Sequence, residues 1–394
     1  MADPWLAIIG IGEDGLAGLS AASRAALASA EIIFGGARHL ALAEAGERGR
    51  VWPLPFDVAP VLACRGQKVA VLASGDPFWF GAGGSLAAHL SPGDWHAYPV
   101  PSTFSLAAAR LGWRLEEVLC LGLHAAPLTR LRPVLARGQR LILLLRDGKA
   151  VAETLSYLAA EGFGASQVWA LEALGGPRER ILGIDPETFE DMTFSSPVAL
   201  AVQPQGRGLP RASGLPDALF SHDGQITKRP IRALTLSALA PFGDAVLWDI
   251  GTGSGSVAIE FLLAAPGARA FGLEADPHRA ARARQNAERF GLDHRFSVLD
   301  SRAPEGLDTL PPPDAIFIGG GATEALLDRL WALMPSGARL VMNAVTLETE
   351  ALLYDAQLRF GGDLMRIDLA EMSALGSRRG WEPSRPLVQW SVQK

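Results

Sequence analysis

The sequence predicts two α/β domains within one chain of 394 residues. Three observations predict this. Short runs rich in β-branched residues and leucine alternate with alanine-rich helical stretches in both halves. A polar stretch, VQPQGRGLPRASGLPDALFSHDG (202–224), interrupts the alternation with prolines and glycines and has no apolar periodicity, as a linker would. The chain is also long for a single hydrophobic core. The division falls at about residue 208, giving domains 1–208 and 209–394.

In the first domain, strands are expected at 5–9, 31–34, 68–73, 118–122, 140–145, 167–172, 179–184 and 197–202, with helices at 20–29, 81–90, 103–111 and 149–161. In the second, strands at 245–249, 269–273, 295–299, 314–318 and 338–343 alternate with helices at 229–240, 255–264, 276–290, 323–333 and 347–359. Two closing strands follow, at 364–371 and 387–393. Such strict alternation implies parallel sheets with helices on both faces.

Composition narrows the class of partner. The formal net charge is −6 and no run of basic residues occurs, which argues against a nucleic-acid partner. No apolar run approaches the ~18–20 residues of a membrane span. The opening MADPWLAIIG lacks a basic n-region, so no signal peptide is expected. Cys64 and Cys120 form no C-x-x-C pair and are expected as free thiols in a reducing cytoplasm. No metal-ligand cluster and no Ser/His/Asp triad is recognisable, so no metal is expected.

Two glycine-rich stretches compete as cofactor loops. IIGIGEDGL (8–16) spells G-x-G-x-x-G, the dinucleotide fingerprint. That fingerprint works only when a helix begins inside the glycine turn and meets the pyrophosphate with its N–H groups. Here the plausible N-cap, Ser20, comes five residues after Gly15, and the next strand runs into Gly35-Gly36 without a ribose-binding acid. The dinucleotide reading fails on both counts.

LWDIGTGSGSVAIEF (247–261) is better placed. A strand ends at Ile250, Gly251, Gly253 and Gly255 follow, and an apolar helical face begins at once. Glycines let the backbone turn sharply and approach a ligand closely. The next strand ends at Glu274, where a carboxylate can accept hydrogen bonds from both ribose hydroxyls, and a third ends at Asp300, within reach of an adenine. Asp249, the glycine loop with Thr252, Glu274 and Asp300 resemble the class I S-adenosylmethionine (SAM) methyltransferases, a Rossmann-like fold.

The first domain carries other loops after its strands. VLASGDPFWFGAG (71–83) places Gly75-Asp76-Pro77 there, VPSTFSLAAARLGW (100–113) sets Ser102 and Thr103 before a helix, and LEALGGPRERI (171–181) adds a glycine turn. Together these resemble the tetrapyrrole methylase family, whose two α/β lobes hold SAM in a cleft largely through main-chain groups. FGGARHL and PSTFSLAAARLGW resemble its corrin C5-methyltransferase branch. DGQITKRPIRALTLSAL (223–239), before the second domain's glycine loop, resembles the decarboxylating corrin C15-methyltransferases. Both halves in this order are similar to the fused C5,15-methyltransferases of cobalamin biosynthesis. Two departures stand out: Ala125 and Ala126 follow His124 where Gly-Arg is common, and Ala173 stands where Asn is common.

The resemblance implies two SAM sites, one per domain, and a tetrapyrrole substrate. It implies methylation of precorrin-6B (also called 6Y) at C5 by the first domain. The second domain would methylate C15 and release the ring-C acetate as CO₂, giving precorrin-8. It also implies a cytoplasmic homo-oligomer. The nucleophile is a ring carbon, so the protein's main task is alignment, with reacting atoms ~3–3.5 Å apart. A base could remove the meso proton, but the residue is not identifiable among seven histidines and many acids.

Guanidinium and ammonium groups would grip the peripheral carboxylates. Arg38 and His39 are candidates in the first domain, with Lys228, Arg229, Arg232 and Arg302 in the second. Each has an ordinary structural alternative. Lys228, Arg229 and Arg302 could be solvated surface charges, and His39 a buried or capping histidine. Asp76 could only shape its turn through an Asx bond, Asp249 could orient the glycine loop, and Trp79 and Trp113 could be core.

An RNA methyltransferase and a non-catalytic tetrapyrrole-binding scaffold remain rival readings. Against the first, IFIGGGA (316–322) lacks the Asn/Asp-Pro-Pro-aromatic sequence used on exocyclic amines. Against the second stand the two cofactor loops.

Overall fold

The computed structural model describes residues 4–189 and 192–394. The chain forms two compact units, residues 1–128 with 135–207 and residues 129–134 with 208–394. Apart from the short segment 129–134, this division follows the change of composition near residue 208.

Unit 1 begins with β1 (Leu6–Ile11), α1 (Ala21–Ser29), β2 (Ile32–Gly35), α2 (Ala37–Leu42), β3 (Gly49–Val51), α3 (Ala59–Leu62), β4 (Val69–Ser74), α4 (Ala82–Ala87) and β5 (Trp95–Tyr98). Their sheet has the order β3-β2-β4-β1-β5, and every pair is parallel. Both faces are covered, so β1 reads as a nearly continuous apolar run. Ile9 and Ile11 face one core, whereas Leu6 and Ile8 face the other. Ser20 caps α1 by accepting a hydrogen bond from the Ser23 amide at 3.1 Å. The helix therefore starts well past the glycines of GIGEDG.

After α5 (Thr103–Leu111) come β6 (Val118–Gly122), β7 (Arg140–Leu144), α6 (Lys149–Ala160), β8 (Gln167–Glu172), β9 (Arg180–Ile184) and β10 (Val198–Gln203). This second sheet, ordered β6-β7-β10-β8-β9, is not the parallel sheet expected. Only β6 and β7 run parallel; β10 is antiparallel to both neighbours and β8 to β9. The cause lies in connectivity. β8 and β9 join by a short turn rather than a helix, and β10 inserts between β7 and β8.

Unit 2 contains α7 (Arg229–Leu239), β11 (Val246–Ile250), α8 (Ser256–Ala264), β12 (Arg269–Glu274), α9 (Pro277–Arg289), β13 (Phe296–Asp300), β14 (Ala315–Ile318), α10 (Glu324–Leu333), β15 (Arg339–Ala344), α11 (Leu347–Phe360), β16 (Asp363–Ile367), β17 (Ala370–Leu375), β18 (Arg378–Pro383) and β19 (Leu387–Gln393). The main sheet is ordered β13-β12-β11-β14-β15-β19-β16. Its first five strands are parallel, and β19 runs antiparallel to β15 and β16. Leu247 points to one core, Val246 and Trp248 to the other. The single strand expected at 364–371 divides into the end of β16 and the start of a separate hairpin, β17–β18. Among the described residues, no helix is long and apolar enough to cross a membrane.

Candidate functional sites in the two units

In unit 1 a cleft of about 410 Å³ opens where β1 and β4 end and the second sheet begins. Ligand sites typically run to roughly 300–1,000 Å³. Gly75 follows β4 in the left-handed region, at φ 59°. Its amide donates to the Ile11 carbonyl at 3.2 Å, and its carbonyl accepts from the Val100 amide at 3.2 Å. A Cβ on Gly75 would lie 2.8 Å from the Ser102 Cα, so only glycine fits.

Gly75, Ser102 and Thr103 line the cleft. Asp76 and Pro77 do not: Asp76 Oδ1 accepts from the Phe78 amide at 2.9 Å and shapes the turn from outside. Ser102 caps α5, its hydroxyl accepting from the Ser105 amide at 3.1 Å.

Arg38 and His39, on α2, do reach the cleft. Arg38 Nη2 lies 2.8 Å from Ser74 Oγ and 2.9 Å from His39 Nε2, and Ser74 Oγ is 2.8 Å from the same imidazole nitrogen. Arg38 Nη1 pairs with Glu13, whose other oxygen meets Arg178 at 3.3 Å. Burial lowers the Arg38 pKa, and Arg178 adds to the effect. Burial also pushes His39 down to about 4, assisted by Arg38, so the imidazole is neutral at pH 7.

Sequence reasoning passed over Glu13 and Ser74. Glu13 sits inside GIGEDG, and Ile11, Gly12 and Glu13 all line the cleft. The stretch that imitates a dinucleotide loop thus supplies cleft wall instead. Ser74 lies within VLASGDPFWF, but nothing in a strand-ending serine marks it. Trp79 is a cleft residue rather than core, its ring tilted 37° to that of Phe104 with centroids 4.8 Å apart, while Trp113 packs edge-on against Trp169 at 5.6 Å.

In unit 2 the glycine loop follows β11. Gly251, Gly253 and Gly255 have φ of 69°, 57° and 74°, all left-handed. The amides of Gly251 and Thr252 donate to the Leu273 carbonyl at 2.9 and 3.1 Å. Asp249, 1% exposed, accepts from the Thr252 hydroxyl at 2.6 Å through Oδ2, while its buried Oδ1 has no hydrogen-bond partner among the described residues. Burial, aided by repulsion from Glu274, pushes the Asp249 carboxyl up to about 7.

Glu274 accepts from the Gly253 amide at 2.9 Å and from the Asp276 amide at 3.0 Å, which fixes it beside the loop. Asp300 is its register partner on β13. Asp300 forms an exposed ion pair with Arg284 at 2.8 Å.

The basic candidates of unit 2 divide. Lys228, Arg229 and Arg302 are exposed, and no side-chain hydrogen bond or ion pair joins them to another described residue. Arg232 corrects the expectation that it grips substrate. It is 0% exposed and bonds inward to Glu260, to Asp217 at 2.9 Å, and to the carbonyls of Thr227 and Leu215. Its guanidinium also lies 4.9 Å from the Phe220 ring. Glu260 in turn accepts from the amides of Gly214 at 2.6 Å and Leu215 at 2.9 Å. Arg232 therefore ties residues 214–227 to α7 and α8, with four of its five N–H donors directed inward.

Comparison with known proteins finds a separate family in each half of the chain. A family model described as tetrapyrrole (corrin/porphyrin) methylases matches residues 6–186, and one described as a precorrin methyltransferase domain matches residues 218–394. A relative from Sinorhizobium sp., named precorrin-6Y C(5,15)-methyltransferase (decarboxylating), is 45% identical over 401 residues, covering 99% of this chain and 97% of the relative. A Mycobacterium tuberculosis protein of the same name is 38% identical over 402 residues, covering 98% and 99%. The crystal structure of the C-terminal domain of a Rhodobacter capsulatus precorrin-6Y C5,15-methyltransferase is 49% identical, with a TM-score of 0.46, covering 47% of this chain and all of that one. On the full-length similarity, the chain belongs to the family of decarboxylating precorrin-6Y C5,15-methyltransferases.

Proposed function

We propose that this chain carries out the reaction its family is named for. It adds methyl groups to precorrin-6Y at C5 and C15 and releases the ring-C acetate as CO₂. Unit 1 would methylate C5, and unit 2 would methylate C15 and decarboxylate. The observation that carries this reading is similarity along almost the whole chain to relatives bearing both activities in their name.

SAM, when bound, supplies an electrophilic methyl group, and the residues present fit such a group. In unit 2 a Cβ on Gly253 would meet nothing closer than the Gly251 carbonyl at 4.0 Å, leaving open space above a left-handed turn. Glu274, fixed by the Gly253 amide, places an acceptor beside that space for hydroxyl donors, and Asp249 lies buried beneath the loop through its bond to Thr252. In unit 1, Gly75, Ser102, Thr103 and Ala173 offer main-chain groups around a cleft. We assign one SAM site to each unit on these grounds.

The chain's own residues hold the reactants. Arg38 at the unit 1 cleft, and Lys228, Arg229 and Arg302 in unit 2, are cations suited to a substrate bearing many carboxylates. Decarboxylation leaves an electron pair that the conjugated macrocycle can accept, so the protein need only orient the acetate.

The net charge of −6 suits a small-molecule partner better than nucleic acid. The exposed Met372, Leu375 and Trp381 on β17–β18 support the expected homo-oligomer. Two free cysteines suit the expected cytoplasmic setting.

Mass spectrometry of precorrin-6Y incubated with SAM and the full chain tests the assignment. Gain of two methyl groups with loss of CO₂ is expected. An unaltered tetrapyrrole would overturn it.

A further inference from the structure

We propose that Phe80 is a positioning residue of the unit 1 cleft, a strained aromatic side chain that, with Trp79, supports the face of the tetrapyrrole while C5 is methylated. The inference rests on the C5 methylation proposed for that cleft. It adds what that reading lacks, a surface that sets the plane of the macrocycle.

Phe80 stands out by its backbone. It holds φ 56°, in the left-handed region, where a bulky L side chain is strained. Among the described residues other than glycine, Glu44, Ala173 and Ala240 also have positive φ, and Ala173 lines the same cleft as Phe80. Strained residues persist where the surrounding structure over-determines them, and they gather at ligand clamps.

The turn around Phe80 does over-determine it. Asp76 Oδ1 accepts from the Phe78 amide, and the Asp76 carbonyl accepts from the Trp79 amide at 3.1 Å. The Gly83 amide donates to the Pro77 carbonyl at 2.9 Å. A Cβ on Gly81 or Gly83 would stand 2.5 or 2.7 Å from that same oxygen, so the backbone closes tightly on Pro77. Residues 76–83 thus fix where the Phe80 ring points.

Core packing does not offset the strain. Phe80 is 50% exposed and Trp79 37%, and both line the cleft. The buried Phe104 anchors the pair, its ring centroid 5.8 Å from Phe80 and 4.8 Å from Trp79. The end of β6 supplies room: a Cβ on Gly122 would stand 2.9 Å from the Phe80 ring. Trp52 and Phe56 line the same cleft, but they pack edge-on against each other at 4.9 Å and neither has a positive φ.

Half-exposed rings on a rigid turn suit a flat, apolar, conjugated ligand, which they hold by stacking and dispersion. Arg38 lines the same cleft and suits a peripheral carboxylate. A macrocycle held at that point alone could swing about it. The aromatic surface removes that freedom, and alignment is what methyl transfer to a ring carbon demands.

Initial rates of C5 methylation by the full chain test the proposal, with NMR of product made from methyl-labelled SAM separating the C5 methyl from the C15 methyl. In Phe80→Gly, KM for precorrin-6Y should rise about tenfold, equivalent to ~1.4 kcal/mol, while KM for SAM stays within about twofold. Phe80→Tyr keeps the ring and should behave as wild type. Glycine adopts φ 56° without strain, so Phe80→Gly should unfold within about 3 °C of wild type. A purely structural ring would do the reverse, lowering Tm and leaving KM alone.

An unchanged KM for precorrin-6Y in Phe80→Gly would overturn the proposal. So would an equal rise in KM for SAM, which would put the ring at the methyl donor instead. Absence of C5 methylation by wild type is read separately, and it would remove the functional assignment beneath.

Discussion

Replacing Arg232 with Met tests whether this side chain is architecture or ligand contact. The guanidinium is 0% exposed and bonds to two carboxylates and two carbonyls. Breaking a buried ion pair by removing one partner costs ~3–5 kcal/mol, because the other charge stays buried and uncompensated. Glu260, at 3% exposure, is that stranded charge. It keeps the amides of Gly214 and Leu215, which places the cost toward the lower end, while two orphaned carbonyls add about 1 kcal/mol each. A net loss of ~3–5 kcal/mol follows. Arg232→Lys should fall between, since an ammonium restores the charge but cannot match a planar four-bond arrangement. Pairing Arg232→Met with Glu260→Gln should recover part of the loss by removing the stranded charge. Urea unfolding of the full chain followed by tryptophan fluorescence measures each value. A loss below ~1 kcal/mol together with weakened tetrapyrrole binding would refute the reasoning and return Arg232 to the ligand site.

Three further outcomes are expected. Asp249 has a folded pKa of about 7 against 3.8 for the free group, so the native state binds more protons than the unfolded chain between those values. Its contribution therefore falls as pH rises from ~4 to ~7, by about 4 kcal/mol in total. Asp249→Asn should lack that decline, and parallel stability–pH curves for the two proteins would show that the charge is not buried. Ala173 holds φ 44°, a region an L side chain enters at a cost of ~1 kcal/mol or more. Ala173→Gly should raise the unfolding temperature by a few degrees, and a lowered Tm would count against strain at this turn. A Cβ on Gly255 would stand 2.7 Å from the Phe296 ring, so Gly255→Ala should abolish C15 methylation and CO₂ loss while sparing the C5 methyl. Mass spectra showing loss of the C5 methyl instead would reverse the division of labour.

Much of the fold was legible because burial writes itself into sequence. β1 and β11 lie inside sheets covered on both faces, and their apolar runs ending at glycines could be read directly. Strand direction could not. Val198–Gln203 is a buried run that reads alike in either sense, and only its insertion between β7 and β8 makes it antiparallel. The β17–β18 hairpin escaped notice because its residues are largely exposed and carry no clean period of two. In the sites, the glycine loop was legible since left-handed backbone restricts residue choice. The fate of Arg232 was not, because it depends on Glu260 and Asp217 arriving from elsewhere in the chain. Ser74 gains meaning only from α2, whose six residues bury none of their side chains and so leave little pattern.

The three acids that end β11, β12 and β13 also show why a spacing pattern underdetermines a site. All stand at strand ends, yet the protein holds each differently. Asp249 is buried, and its folded pKa leaves it poised between charged and neutral near pH 7, so a cation brought beside it would favour the charged form. Glu274 is already fixed by two amides and can accept further hydrogen bonds without rearranging. Asp300 is engaged with Arg284 in an exposed pair, an interaction typically worth less than about 1 kcal/mol. A ligand carrying positive charge and hydroxyl groups would thus meet one acid that responds by ionising, one that is preorganised and one released at little cost. Of the three, Asp249 should make affinity for such a ligand rise with pH through about 7. Calorimetric titration of SAM into the full chain and into Asp249→Asn across that range reads the difference directly. Identical pH dependence in the two proteins would detach Asp249 from the ligand and leave it the simpler task of fixing the loop through Thr252.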